Sequence, residues 1–162
     1  MSTTGGFTSS GLLQAELLLT LPALDVAGTV EIGEIAKSFG VMRGLPIAVE
    51  VRIGDWIIYH ASLPGSTVEN QWWIDRKARV VLLKHHSTMY ERVSAQERGV
   101  DWHKENNLPD ESHAIHGGGL PLIAKKDGFV GVLLISGLPQ VEDHLLGVEV
   151  LTEFLARKGE QL

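Results

Sequence analysis

Apolar residues recur along this chain at two spacings, and the alternation between them predicts eight elements. ELLLTL, residues 16–21, is a short apolar run closed by Pro22 and predicts a first strand. Asp25 stands where it can cap a helix over about 26–42, which Gly44 and Pro46 bring to an end. PIAVEVR, a turn at Ile53-Gly54-Asp55, and WIIYHA then read as a hairpin. Strict alternation puts Ile47, Val49, Val51, Trp56, Ile58 and His60 on one face. Ala48, Glu50, Arg52, Ile57, Tyr59 and Ala61 take the other, so His60 ends the more apolar side.

LPGST at 63–67 breaks the strand, and Ser66 or Thr67 can cap a long helix over about 68–90. At 100° per residue its core stripe is Ile74, Ala78, Val81, Leu82, His85 and Met89. Trp72, Arg76, Arg79 and Leu83 fall on the opposite side and suggest a contact surface. Residues 91–112 read as polar and irregular. Strand signals resume in LPLIAKKDGFVGVLLIS, where Asp127-Gly128 predicts a tight turn that pairs Lys126 with Phe129. Leu120, Leu122, Gly131, Leu133 and Ile135 then share one face, and Ile123, Val130, Val132 and Leu134 the other. Two apolar faces imply a hairpin inside the sheet, covered on both sides. Pro139 opens a last helix to about 157, with Glu142 and Asp143 in its positive first turn. Its stripe is Val141, His144, Leu145, Val148, Leu151 and Leu155, with Leu146, Val150 and Phe154 as a second apolar strip. Helices apolar on two sides argue for a homo-oligomer. The order β-α-β-β-α-β-β-α predicts an α+β fold, a five-stranded, largely antiparallel sheet with helices packed on it.

The 162 residues fit one domain, 1–162, with the small polar residues 1–11 as a flexible arm. A net charge of −6 argues against a nucleic-acid partner, which would require a basic stripe. The absence of cysteine excludes disulfides, thiolate metal sites and thioether-linked haem. No run is long enough to span a bilayer, and the start lacks the basic and apolar regions of a signal peptide. A soluble, cytoplasmic protein is the expectation.

Four stretches carry a recognisable pattern: LPIAVEVRIGDWIIYHASLPGST, NQWWIDRKARVV, HAIHGGGLPL and GFVGVLLISGLPQVEDH. Together, over roughly residues 15–156, they resemble the haem-degrading domain family, the HbpS/GlcG-like proteins, and within it a branch of small uncharacterised cytoplasmic members. The resemblance implies a profilin-like sandwich, homo-oligomers built from dimers and, in some relatives, haem or another tetrapyrrole. Positions matching the family are His60, Trp73, Arg76, Lys77, His116, Gly117, Gly118, Ser136, Gly137, Asp143 and His144. Relatives usually carry an aromatic residue in place of His113, so the His113–His116 pair is peculiar to this chain and no metal site is expected from it.

Two histidines three apart could share a helical face, but a metal would need a third ligand, from His60 or His144. Gly117, Gly118 and Gly119 permit a turn into the following strand, or could offer N–H groups to an anion. Arg76 and Lys77 diverge by about 100° on a helix, so only Lys77 flanks the core stripe. A buried Glu or Asp partner accounts for either without a ligand. His85 reads as a buried core histidine, and Ser136 lacks a nucleophile elbow. The reading that follows is a small, partly apolar, anionic ligand, haem by family resemblance, bound by His60, Lys77, His116, Gly117, Gly118 and His144. The histidines would supply axial or polar contacts and Lys77 would pair a carboxylate. The alternatives are a non-catalytic, homo-oligomeric interaction scaffold, and an enzyme that handles a small carbonyl or hydroxy acid by histidine acid–base chemistry.

Overall fold

In the computed structural model, which describes residues 4–160, ten elements follow one another: α1 Ser9–Leu18, α2 Val26–Arg43, β1 Ala48–Ile53, β2 Trp56–Ser62, α3 Val68–Lys84, α4 Thr88–Glu97, α5 Trp102–Asn106, β3 Gly119–Ala124, β4 Gly128–Ser136 and α6 Gln140–Glu160. The fold is α+β. Its antiparallel sheet has four strands rather than five, in the order β2-β1-β4-β3.

The missing strand is ELLLTL. Its Glu and Leu residues are good helix formers, and Glu16, Leu17 and Leu18 form the last turn of α1, which ends before the β-branched Thr20 and is capped at its start where Thr8 accepts from the Gly11 N–H. Residues 9–11, expected in a loose arm, are the first turn of this helix, while residues 1–3 of that arm lie outside the described residues. Only Leu21 keeps a strand-like contact, a parallel bridge to Ala124.

Helices cover both faces of the sheet. Helices α2 and α6 pack Ile32, Ile35, Leu146, Val150, Leu151 and Phe154 against Val49, Val51, Leu120, Leu122, Leu133 and Ile135. Helix α3 packs Ile74, Ala78 and Val81 against Ala48, Val132 and Leu134 on the other side. The β3 and β4 faces therefore divide as their alternation predicts, although β3 lies at the sheet edge. The turn does not follow the prediction. Ala124 pairs with Gly128 across three residues, and an irregularity between Leu122 and Ile123 returns each side chain to its expected face, with Leu120 opposite Leu133.

Helix α2 ends as expected, with Gly44 in the left-handed region at its C-cap. The long helix of 68–90 is instead two. Thr67 and Asn70 form a capping box for α3, and His85 ends it at φ +63°. His85 is thus an exposed cap stacked on Phe129, not a core residue. The region 91–112 holds the rest of α4 and α5 rather than irregular chain.

On α6 the faces also shift. Leu145 is exposed, while His144 and Leu151 of the expected stripe share the buried face with Leu146, Val150 and Phe154 of the second strip. The argument for self-association from a two-sided α6 is thereby removed.

In the first hairpin Val51 pairs with Tyr59 but Arg52 with Ile57, so Ile58 is an extra residue in β2. A one-residue bulge reverses every side chain beyond it. His60 consequently pairs with Glu50 on the polar side, and Tyr59 turns to the α2 face and packs flat on Gly33.

Candidate functional site

A hollow of about 270 Å³ opens where four segments meet: Asn70, Trp73 and Lys77 of α3, His116 and Gly117 of the preceding loop, Ser136, Gly137 and Leu138 after β4, and Gln140 and Asp143 at the start of α6. Its floor is Lys77, only 2% exposed. The Lys77 Nζ donates to the Ile135 carbonyl at 2.9 Å and lies 3.3 Å from Asp143 Oδ2. The other Asp143 oxygen accepts from the Leu138 N–H at 3.0 Å, which fixes the carboxylate against the loop. Burial pulls the Lys77 ammonium below its ordinary range, against the opposing pull of Asp143. Burial likewise pushes Asp143 up to about 6 although Lys77 holds it down. Both partners disfavour their charges in this site, so desolvation outweighs their attraction.

The wall opposite is a loop held by arginines. Arg76 Nε donates to the Asp110 carbonyl at 2.7 Å, Arg79 to that of Ser112 at 3.1 Å and Arg92 to that of Ile115 at 3.0 Å. Arg76 is fully buried, its Cζ 3.8 Å and 4.4 Å from the ring centres of Trp72 and Trp73. Its Nη2 lies 2.8 Å from Asp110 Oδ2 without hydrogen-bond alignment, so the two rings take over much of the cation's solvation. Arg76 thus has an acidic partner, but Asp110 is exposed rather than buried, and Arg76, expected on an outer contact surface, is itself the buried member of the pair. The sequence gives no sign of the other two arginines' role, because their acceptors are backbone carbonyls.

This loop delivers His116 edge-on to Trp73, with ring centres 4.6 Å apart. Burial, and then Arg92 and Lys77, lower its pKa to about 4, so the imidazole is neutral at pH 7. Arg92 Nη2 lies 3.5 Å from Nδ1. A guanidinium only donates, so Nδ1 accepts and the ring proton sits on Nε2. Gly117 donates to the Gln140 side chain at 3.2 Å and Gly119 to Thr88 Oγ1 at 3.1 Å, so these two N–H groups serve the loop rather than an anion. Gly118 lies behind them at φ +124°, where a Cβ would come 2.4 Å from the Ile135 oxygen and 2.7 Å from Lys77 Nζ. Gly137, at φ +145°, is held as tightly against Pro46.

Of the six residues expected to share a site, Lys77, His116 and Gly117 line the hollow and Gly118 backs it. His60 does not join them. It sits beside β1, bonded to Glu50 at 3.0 Å and Ser62 at 2.8 Å, in a network with Arg52, Gln71 and Asp75. His144 faces a separate cavity of about 20 Å³ beneath α1, its ring against Phe7 and its Nδ1 without a hydrogen bond. Burial holds it at about 4. His113 turns to Ser112, away from His116. Among the described residues no three His, Asp or Glu side chains are placed to hold a metal ion. Among them too, no helix is long and apolar enough to cross a membrane. Trp73, Asn70, Ser136, Gln140 and Asp143 complete the site. Asp143 pairs with Lys77, 66 residues away in the chain.

The family model for the haem-degrading HbpS-like proteins matches residues 24–152. A UPF0303 protein of Streptomyces avermitilis is 38% identical over 142 residues, covering 88% of this chain and 87% of that protein. Among solved structures, that of the Ybr137w protein superposes with a TM-score of 0.84 at 23% identity, covering 91% of this chain and 88% of its own. A PduOC:haem complex does so at 0.67 and 17%, covering 80% and 94%. The structural likenesses establish the fold. The chain belongs to the haem-degrading HbpS-like family, alongside the UPF0303 proteins.

Proposed function

We propose that this HbpS-like protein binds a small carboxylate-bearing molecule in the hollow between Trp73, Lys77, His116 and Asp143. One observation carries the reading: a lysine buried to 2% exposure at the floor of an open pocket, paired with a carboxylate that is itself poised to take a proton. A convergence of perturbed titratable groups in a cleft is the mark of a working site. The donors are the Lys77 ammonium, His116 Nε2–H and the Ser136 hydroxyl, whose oxygen already accepts from Asn70 at 3.1 Å. Trp73 and Leu138 supply apolar contact.

The hollow suits a ligand smaller than haem. At about 270 Å³ it falls below the range of roughly 300–1,000 Å³ typical of drug-sized ligands. Its one imidazole gives Nδ1 to Arg92, and the other two histidines expected as ligands point elsewhere. The haem in the PduOC complex belongs to that protein.

The test is titration with acetate, propionate, glycolate and succinate, followed by the indole and imidazole NMR signals of Trp73 and His116, with hemin in a parallel absorbance titration. Saturable shifts confined to the pocket and lost in Lys77→Met support the reading. Shifts absent for every acid, or a stoichiometric Soret change that survives His116→Ala, overturn it.

A second reading is self-association as a homo-oligomeric scaffold. It draws on exposed apolar residues of α3 and β2, Val68, Trp72, Leu83, Trp56 and Ile57. Light scattering tests it: Trp72→Glu should lower the mass of any assembly, and a monomeric parent chain ends this reading.

A further inference from the structure

We infer that Lys77 is a covalent site, whose amine condenses with the carbonyl of a small 2-oxo acid held in the hollow. The inference rests on the carboxylate-pocket reading and adds a reaction to it. Of the seven lysines, Lys77 alone is buried; Lys37, Lys104, Lys125 and Lys126 are exposed, and Lys84 and Lys158 half-buried. Its Nζ reaches the pocket floor with a proton acceptor, Asp143 Oδ2, 3.3 Å away and a fixed carbonyl, Ile135, at 2.9 Å. Desolvation is a standard means of keeping a lysine amine nucleophilic near neutral pH; burial is what holds Lys77 down against Asp143, with a smaller push from Arg76.

The step balances without a further reactant. Asp143 takes a proton from the ammonium, and the freed lone pair attacks the carbonyl carbon. A carbon–nitrogen bond forms, the carbon–oxygen bond breaks, and the oxygen departs as water carrying two of the three ammonium protons, one of them returned by Asp143. A protonated imine remains on Nζ, and nothing is oxidised or reduced. His116 Nε2–H and the Ser136 hydroxyl are the donors for the acid's carboxylate, which orients the carbonyl toward Lys77. Trapping rather than turnover is the readout, since the imine is reversible.

The experiment incubates the full chain at pH 7 with glyoxylate or pyruvate and sodium cyanoborohydride, then maps the adducts by mass spectrometry. The expected result is one adduct per chain on the Lys77 peptide, favoured over the exposed lysines by at least about tenfold. Excess propionate should suppress it, and Lys77→Arg should abolish it. Because Lys77→Arg can disturb folding, the distribution of label within the unaltered chain decides. Label on Lys125 and Lys126 with Lys77 unmodified overturns the inference. If propionate still shifts the Trp73 signal in that case, the pocket reading stands and only the covalent step falls. If propionate shifts nothing either, both fall.

Discussion

Replacing Lys77 by Met and Asp143 by Asn together removes both buried charges while keeping the shape of the site. Met fills the lysine stem, and the Asn oxygen can still accept the Leu138 N–H that Asp143 now takes at 3.0 Å. The expected effect at pH 7 is a gain in stability. Asp143 titrates at about 6 in the folded chain against an ordinary 3.8. The folded state therefore resists ionising this carboxylate, and stability that is fully present below 3.8 is lost as pH rises to 6. Two pH units at about 1.4 kcal/mol each put that loss near 3 kcal/mol. Lys77, shifted down, adds a cost of the same sign at pH 7, because its folded state also disfavours the charge. Against this stands the lost bond to the Ile135 carbonyl, about 1 kcal/mol. A net gain of about 1–3 kcal/mol follows, within the range of about 1–4 found when buried ion pairs are replaced by neutral groups. Urea unfolding at several pH values measures it. The part of the advantage that comes from Asp143 should fade as pH falls from 6 to 4, while the part that comes from the buried Lys77 charge persists. Either single change strands the other group and should be less stable than the double. A double variant weaker than the parent by 1 kcal/mol or more at pH 7, or an advantage independent of pH, refutes the reasoning.

Gly118→Ala should destabilise by at least about 1–3 kcal/mol from the backbone at φ +124° alone, with the Ile135 oxygen 2.4 Å from the new methyl adding to it; the shift in urea midpoint reports this. His144→Leu should change stability at pH 7 by less than about 1 kcal/mol, since the neutral ring leaves Nδ1 unpaired and the cavity is apolar. Its folded pKa of about 4 lies below the ordinary 6.5, so the parent loses stability as pH falls between those values, by up to about 3 kcal/mol, and the Leu variant should lose less over the same window. Carboxylate binding should tighten as pH falls from 7 to 5, because protonating Asp143 removes its charge from the bound anion and frees Lys77, while His116, at about 4, stays neutral. An affinity that is flat or weakens over this interval, measured by calorimetry, counts against the pocket assignment.

Much of the scaffold is legible in the chain because its signals are local. Asp25 and Gly44 bound α2, Thr67 caps α3, and alternation sorts the β3 and β4 side chains between the two helical layers. The errors have particular physical origins. A six-residue apolar run has no period long enough to separate strand from helix, which misplaced ELLLTL. His85 interrupts a helix although it is neither Gly nor Pro, at φ +63°. The bulge at Ile58 reverses the faces of β2 and carries His60 to Glu50. Of the expected site, the members that hold together are those anchored to rigid neighbours: Lys77 in the middle of α3, and His116 at the end of a loop whose carbonyls three arginines bind. Apart from its match to the family pattern, Asp143 was legible only as a favourable charge in the first turn of α6. Its pairing with Lys77 depends on how α6 and α3 meet at the end of β4, which no local pattern encodes.

The arrangement around Lys77 is difficult to explain as structure alone. Two charges are buried although desolvation outweighs their attraction, and a Met and an Asn filling the same space are expected to give greater stability. Gly118 holds a positive φ so that backbone can close over Lys77 and Asp143, and Gly137 holds one against Pro46 at the pocket's edge, each forgoing the rigidity a side chain would give. Three arginines and two tryptophans then hold one loop so that a neutral imidazole borders the same hollow. Stability sacrificed repeatedly at one open pocket, while the two packed layers beside it are ordinary aliphatic cores, is what a binding or reacting site requires. The double variant separates the two explanations directly. If the pair serves folding, its loss weakens the protein; if it serves a ligand, the same change strengthens the protein and empties the pocket of its affinity for acids.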